Sequence, residues 1–337
     1  MINYVLLDHG SGGLLSQDLI RNIFLKYFNT GKQAILTDSA LLKVPEKELA
    51  MTTDSYVVNP VFFPGGNIGK LAVCGTVNDL AVVGATPLYI SCGFIIEEGF
   101  PLKDLEIIVK SMATEAKNAG IKIVTGDTKV VEKGSCDKLF INTTGIGILH
   151  KNSSKIAIGK NIKVGDKIII NGSIAEHGLA VMMQRHGFQF DTKIKSDCAS
   201  LNHLIQKILV VCPDIKFMRD ATRGGLASVL CECVEKRTFG IKLYEPDIPV
   251  KEQVKGISEL LGFDPLYVAN EGKVVMVVST KDTEAIMNIM KKDTLGKHAA
   301  VIGEVVKETP GTVTLKTNAG GHRIVHMLTG AQLPRIC

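Results

Sequence analysis

The chain has 337 residues, 45% hydrophobic and 22% charged, and carries a net charge of +5. That length exceeds one ordinary hydrophobic core and predicts two domains of about 150 residues each. Dispersed lysines and arginines, 5% aromatic content and no tryptophan speak against a nucleic-acid surface, and no apolar run is long enough to span a membrane.

In chain order, Glu48 to Thr53 reads as a strand running into Asp54. Gly66 to Gly84 reads as a helix on which Leu71, Val77, Leu80, Ala81 and Val82 recur near the helical period. Pro87 to Ile96 is an apolar strand, and Pro101 to Ala119 a helix with proline in its first turn and Gly120 ending it. Ile121 to Val124 is predicted as a strand leading into a Gly126-Asp127-Thr128 turn, and Leu139 to Leu149 as a further strand. The polar stretch from His150 to Lys160 marks a domain boundary. Beyond it, strands are expected at Lys167 to Ile170, Lys273 to Val278, Ala299 to Val306 and Thr312 to Lys316. Helices are expected after Asn171-Gly172-Ser173 through Arg185, and over Leu201 to Val211, Gly224 to Glu235 and Asp282 to Met290. Gly320 to Cys337 shows little periodicity. The class is α/β (α+β), divided as residues 1–150, 151–320 and a flexible tail over 321–337.

Eight cysteines lie scattered without a CxxC repeat. Cys74, Cys92, Cys231 and Cys233 fall in apolar stretches and read as buried thiols, which suits a reducing cytoplasm. The opening Met1-Ile2-Asn3-Tyr4-Val5 lacks the marks of a signal peptide. The last cysteine, Cys337, closes Leu333-Pro334-Arg335-Ile336-Cys337 and sits too late for prenylation. Pro334 stiffens its approach, and Arg335 can offset the α-carboxylate that otherwise opposes a thiolate.

Five aspartates stand at predicted element ends beside small or hydroxyl residues: Asp38, Asp54, Asp79, Asp127 and Asp220. Any one of them is ordinarily a cap or turn residue, but as a set they suit Mg²⁺, which takes few carboxylates and completes its shell with water and phosphate. Glycine clusters accompany them at His9 to Gly13, Pro64 to Asn67 and Gly224-Gly225, where backbone N–H groups can hold phosphate or simply form turns. None is a Walker A loop or a GxGxxG fingerprint.

Several segments together resemble the superfamily of aminoimidazole ribonucleotide synthetase, selenophosphate synthetase and thiamine monophosphate kinase, over essentially the whole chain. They are His9 to Gly13, Gly126-Asp127-Thr128-Lys129-Val130-Val131, Asp220 to Leu226, Asn270-Glu271-Gly272 and Pro334-Arg335-Ile336-Cys337. Within it the tail and the Gly-Asp-Thr-Lys segment resemble the HypE family of hydrogenase maturation; the aspartates mark only the superfamily. The resemblance implies two PurM-like domains, a homodimer paired through the N-terminal domains, and ATP bound near that pairing. It also implies an ATP-dependent carbamoyl dehydratase, a carbon–oxygen lyase acting on its own terminus. HypF would place a carbamoyl group on the sulfur of Cys337, and the chain would convert the S-carboxamide to S-cyanate. The cyanide would then pass to iron on the HypC–HypD complex for the [NiFe]-hydrogenase centre. By the same resemblance Asp38, Asp54, Asp79 and Asp220 would organise Mg²⁺ and phosphate, with Asn78, Gly126, Asp127 and Thr128 at the nucleotide.

The chemistry asks for more groups. An amide oxygen leaves poorly until it is phosphorylated, and the nitrogen proton needs a base within hydrogen-bond reach. Glu271, in a short turn before an apolar strand, is the candidate base, against the reading of an exposed turn acid. Lys129 can stabilise developing negative charge or be a solvated surface lysine. His177, in the first turn of a predicted helix, is a polar neighbour of substrate or a packed core histidine. Arg223 suits phosphate. The 17 residues from Gly321 to Cys337 reach at most about 55–60 Å, enough to enter a site and to swing out to partners. Two rivals remain: a small-molecule kinase or synthetase, which has no use for a terminal cysteine, and a non-catalytic carrier that presents Cys337. Selenophosphate synthetase would want a reactive cysteine in the His9 to Gly13 segment, which has none.

Overall fold

The computed structural model describes residues 13–19, 40–44, 47–150, 153–187, 194–330, 333 and 335–337. Asp38, Pro334 and His9 to Gly12 fall outside them. In the first half, β1 (Ala40–Val44), β2 (Lys47–Tyr56), β5 (Ala85–Glu97), β6 (Lys122–Val131) and β7 (Leu139–Leu149) form one sheet in the order β1-β2-β7-β5-β6. All its pairings are antiparallel except β5 with β6. A two-stranded hairpin, β3 (Phe62–Phe63) with β4 (Gly66–Asn67), leads into the first long helix. After a short helix α1 (Leu14–Leu19), the long helices are α2 (Ile68–Val82) and α3 (Leu102–Ala119).

The sequence pattern accounts for both helices. Asn67 caps α2, its Oδ1 accepting from Gly69 N at 2.9 Å and Lys70 N at 3.0 Å. Every residue of α2 is buried except Lys70 and Asp79. A helix buried around nearly its whole circumference must be covered on all sides, and α2 lies between the N-terminal sheet and the second domain. There Ala81 and Val82 join a core with Leu201, Ile205 and Met276. In contrast, α3 buries one stripe, Ile108, Met112, Ala116 and Ala119, and Gly120 closes it in the left-handed region at φ 72°.

In the second half, β8 (Lys167–Ile170), β9 (Phe217–Asp220), β10 (Gly240–Tyr244), β11 (Val274–Val278), β12 (Ala300–Val306), β13 (Val313–Lys316) and β14 (His322–Val325) form a seven-stranded mixed sheet. Its order is β14-β13-β10-β12-β8-β11-β9. β11 is buried at every position because both faces are covered. Val275 and Val277 point into a core with α4 (Glu176–His186), α6 (Gly225–Val234) and α7 (Glu252–Leu261). Val274, Met276 and Val278 point into the other, with α5 (Asn202–Val211) and α8 (Thr283–Lys291). The period of two thus feeds two separate cores from one strand.

Two expectations change here. The predicted Gly126-Asp127-Thr128 turn is the middle of β6, paired in register with Cys92, Gly93 and Phe94 of β5. Glycine is needed at 126 because a Cβ there would lie 2.3 Å from the carbonyl oxygen of Cys92. The tail, in turn, does not begin at residue 321: β14 adds His322 to Val325 to the sheet edge. Leu328 is also buried, and its carbonyl accepts from Leu14 N at 3.0 Å. Only the nine residues 329–337 follow that anchor, a reach of about 30 Å when extended.

Candidate active site

The second domain builds a tight hub from Asn270, which is fully buried. Its Oδ1 accepts from Ala175 N at 2.7 Å, and its Nδ2 donates to Ala221 O at 2.9 Å and Val268 O at 3.1 Å. One side chain thereby joins the start of α4, the end of β9 and the turn that carries Glu271. Asp197 braces the same turn. Its carboxylate accepts from Glu271 N at 3.0 Å, Gly272 N at 3.2 Å and Lys273 Nζ at 2.7 Å. Burial alone would raise the Asp197 pKa, but the Lys273 charge and hydrogen bond outweigh it and hold the group ionised.

Glu271 is the odd member of this scaffold. It is 2% exposed, and its Oε1 is a buried oxygen without a hydrogen-bond partner among the described residues. Burial first, then Asp220, Asp197 and Asp54, push its pKa well above the usual carboxylate range, with Arg223 pulling the other way. An ionisable oxygen held buried and unpartnered costs stability unless something else is meant to meet it.

What stands near it is the chain terminus. The Cys337 thiol lies among Arg223, Glu271, Asp54 and Asp220, and burial pushes it up to about 12 against the pull of Arg223. Arg223 is held more firmly charged, by Cys337 first and then by Asp54, Asp79 and Glu271. It feels those groups closely and yet stays exposed, as does part of Cys337. Asp54, near the end of β2, accepts from the Tyr56 hydroxyl at 3.1 Å, and Asp79, on α2, accepts from the Thr52 hydroxyl at 2.7 Å.

The tail is seated by both domains. Val57 N donates to Cys337 O at 3.1 Å and Asn59 N to Arg335 O at 3.4 Å. Arg185, on α4, donates to Arg335 O at 2.5 Å and to Asn59 O at 2.6 Å. The Arg335 guanidinium donates to Val57 O at 3.1 Å and pairs with Asp137. Ile336 is 4% exposed and joins the N-terminal core with Val58, Val61 and Phe63. His177, wholly buried, donates from Nε2 to Ile336 O at 2.9 Å while its Nδ1 accepts from the Ser196 hydroxyl at 2.7 Å. That assignment follows because the carbonyl can only accept, and Ser196 Oγ already accepts from Cys198 N at 3.1 Å. Burial lowers the His177 pKa, against Asp197 and the Ile336 carbonyl, so the ring stays neutral.

Residues 36–149 match the family of AIR synthase related protein, N-terminal domain, and residues 163–316 match its C-terminal domain. Carbamoyl dehydratase HypE of Cupriavidus necator is 46% identical over 332 residues, covering 98% of this chain and 94% of that protein. The chain belongs to the HypE family. A crystal structure of a HypE–HypF complex superposes with a TM-score of 0.86 at 51% identity, over 92% of this chain and 99% of that one. A HypE in complex with ATP superposes at 0.83 and 46% identity, over 99% and 100%. The two PurM-like domains of the HypE family are therefore the fold of this chain.

Of the residues singled out in the sequence, the structure gathers Cys337, Glu271, Arg223, Asp54, Asp79, Asp220 and His177 around the seated chain terminus. Others it places elsewhere or in another role. Gly126, Asp127, Thr128 and Lys129 lie on the exposed edge strand β6, where Lys129 pairs with Asp127 at 2.8 Å rather than with the tail. Asn78 is a tie between domains: its amide holds Leu201 N at 2.8 Å, Ala199 O at 3.0 Å and Glu271 O at 3.4 Å. Gly225 serves packing, since a Cβ would lie 2.5 Å from Leu266 O. Arg335 holds Asp137, so Arg223 is the cation beside the thiol, and the seated thiol is protonated rather than activated. Cys231 is half-buried, donating to Val325 O at 3.3 Å, while Cys74, Cys92 and Cys233 are buried as expected. Sequence reasoning gave no structural role to Asn270 and missed Asp197, Ser196, Arg185 and Asp137, whose partners are for the most part distant in sequence. The one local signal was the Asn before Glu271.

No group of three or more metal-ligating side chains gathers among the described residues. Mg²⁺ asks for less, one or two carboxylates with phosphate and water. Asp54 and Asp79 beside Arg223 have that character, so the donor set fits an ion that arrives with phosphate. Among the described residues no helix is long and apolar enough to cross a membrane.

Proposed function

We propose that the chain dehydrates an S-carboxamide carried on its own Cys337 to an S-cyanate at the expense of ATP, within hydrogenase maturation. The observation that carries the reading is the Cys337 thiol seated among Glu271 and Arg223, with Glu271 Oε1 buried and unpartnered.

The carboxamide oxygen attacks the γ-phosphorus of ATP, ADP leaves, and the oxygen becomes part of a phosphate ester. The C–O bond then breaks, phosphate departs with that oxygen, and the nitrogen gives up its protons to form S–C≡N. The products balance as S-cyanate, ADP and phosphate. Glu271 takes a nitrogen proton as the C–O bond breaks; its burial makes it a strong base once ionised. Arg223 faces the growing negative charge on oxygen. Bound Mg²⁺ would neutralise phosphate charge, held by Asp54 and Asp79 with Asp220 close by and Asp38 as the remaining superfamily aspartate. His177, Arg185 and Asp137 hold the tail so that the sulfur does not wander.

The carbamoyl group would come from HypF, since a HypE–HypF complex exists for a relative, and the cyanide would go to HypC–HypD. Pairing into a homodimer is favoured by the uncovered face of the N-terminal sheet, where Tyr89 is 47% and Ile95 42% exposed, in register with Lys122 and Lys129. Such pairing would also cover Asp127 and Lys129 and give them a place near nucleotide.

The test is mass spectrometry of the C-terminal peptide after incubation with the carbamoylating partner, carbamoyl phosphate and ATP. A carbamoyl adduct on Cys337 that loses one water when ATP is added is expected; an adduct elsewhere, or one that persists with ATP, refutes the reading.

A further inference from the structure

The seat of the tail has the makeup of a peptide-recognition groove. Its backbone contacts, Val57 N to Cys337 O and Asn59 N to Arg335 O, step by two residues on each side in antiparallel sense. Arg335 itself is left-handed, at φ 53°, so the tail is not a strand and its side chain turns toward Asp137. Each of the last three residues has a separate receptor. Asp137 takes the guanidinium and is itself held by Asn59 Nδ2 at 3.1 Å. An apolar pocket takes Ile336, with His177 on its carbonyl. Glu271, Arg223 and Asp54 surround the sulfur. Backbone bonds for affinity and side-chain pockets for identity are how folded domains read extended peptides.

None of these contacts depends on the covalent link to Leu328. Six residues, 329–334, separate that anchor from Arg335. A link so short supplies an effective concentration on the order of millimolar, which fills the groove without requiring tight intrinsic binding.

We propose that this groove is a recognition site for C-terminal Arg-Ile-Cys peptides as such. It then accepts the S-carboxamide of a free peptide, or of another copy's tail, as a substrate in trans. The substrate claim rests on the dehydratase reading; the binding claim does not.

The test uses the chain lacking its last three residues and a fluorescent peptide, Gln-Leu-Pro-Arg-Ile-Cys with a free carboxylate. Saturable binding is expected, weakened about 10-fold by Arg→Ala and by Ile→Ala in the peptide. The intact chain should bind the peptide at least about 10-fold more weakly, because its own tail occupies the groove. Should the shortened chain fold poorly, full-length Arg335→Glu, which sets a carboxylate against Asp137, opens the same groove. Absence of binding up to millimolar peptide in both variants, or equal binding of all peptides, overturns the proposal. With S-carboxamide peptide and ATP, loss of one water from the peptide supports the trans substrate. A peptide that binds but stays intact, while the intact chain dehydrates its own tail, overturns it. Failure of both peptide and tail to dehydrate, with specific binding retained, leaves the groove standing and overturns the dehydratase reading instead.

Discussion

Ile336→Ala offers a sharp test of how the terminus is held. Ile336 is 4% exposed in its pocket, and the change removes three carbons, worth about 0.8 kcal/mol each. The loss of roughly 2 kcal/mol falls on docking, because the chain up to Leu328 keeps its own cores when the tail leaves. The undocked fraction should rise about 30-fold. Thiol alkylation at pH 8, followed on the C-terminal peptide, reads that fraction. The seated thiol is pushed up to about 12 and hardly ionises, whereas a released cysteine near its ordinary pKa of about 8.5 reacts. A 10- to 30-fold faster modification of Cys337 is expected, with a Tm lower by only a few degrees, since the loss is confined to the docking free energy. A change below about 3-fold, or a fall in Tm without faster alkylation, would refute the docking argument.

Glu271→Gln should stall dehydration of the Cys337 adduct yet raise Tm at pH 7. The folded-state pKa of Glu271 is raised, so the wild-type fold loses stability as pH climbs above the unfolded value near 4.5. The gain from Gln therefore shrinks toward pH 4.5, and thermal melts across pH 4.5–8 check the sign. If Glu271 is the base, the wild-type dehydration rate should rise with pH over the neutral range, since only the ionised carboxylate takes a proton. For His177 the shift is downward, so the unfolded chain binds more protons below about pH 6.5 and the fold weakens there. His177→Gln should flatten that acid slope and speed Cys337 alkylation by about 2- to 10-fold for the lost hydrogen bond. Asn78→Ala leaves Leu201 N and Ala199 O without their partner and should cost about 2–4 kcal/mol in urea unfolding. Tyr89→Lys with Ile95→Lys should turn a dimer into monomers in sedimentation while leaving the fold intact by circular dichroism.

Local chemistry was legible from sequence wherever neighbours in the chain decide the outcome. The strands Lys167 to Ile170 and Leu139 to Leu149, the left-handed stop at Gly120 and the largely apolar α2 follow from side-chain period and backbone freedom. The resemblance carried Cys337, Glu271 and Arg223 to one site. β14 was missed because an edge strand with one covered face has a weak pattern: His322 and Ile324 are exposed and only Val325 is buried. β6 was cut short because Gly-Asp-Thr is ordinary turn chemistry, overridden here by pairing with β5 across a close contact at Gly126. Which residues hold the tail, and that Arg223 rather than Arg335 faces its sulfur, depended on bringing Val57, Asp137, Arg185, His177 and Ser196 to one place. Those contacts run largely through backbone carbonyls and N–H groups, which every residue type possesses, so no residue type in the sequence announces them. The protonation of Cys337 and Glu271 is likewise tertiary. It comes from burial and from carboxylates on β2, β9 and the Ser196 to Ala199 segment, which meet only after both domains close around α2.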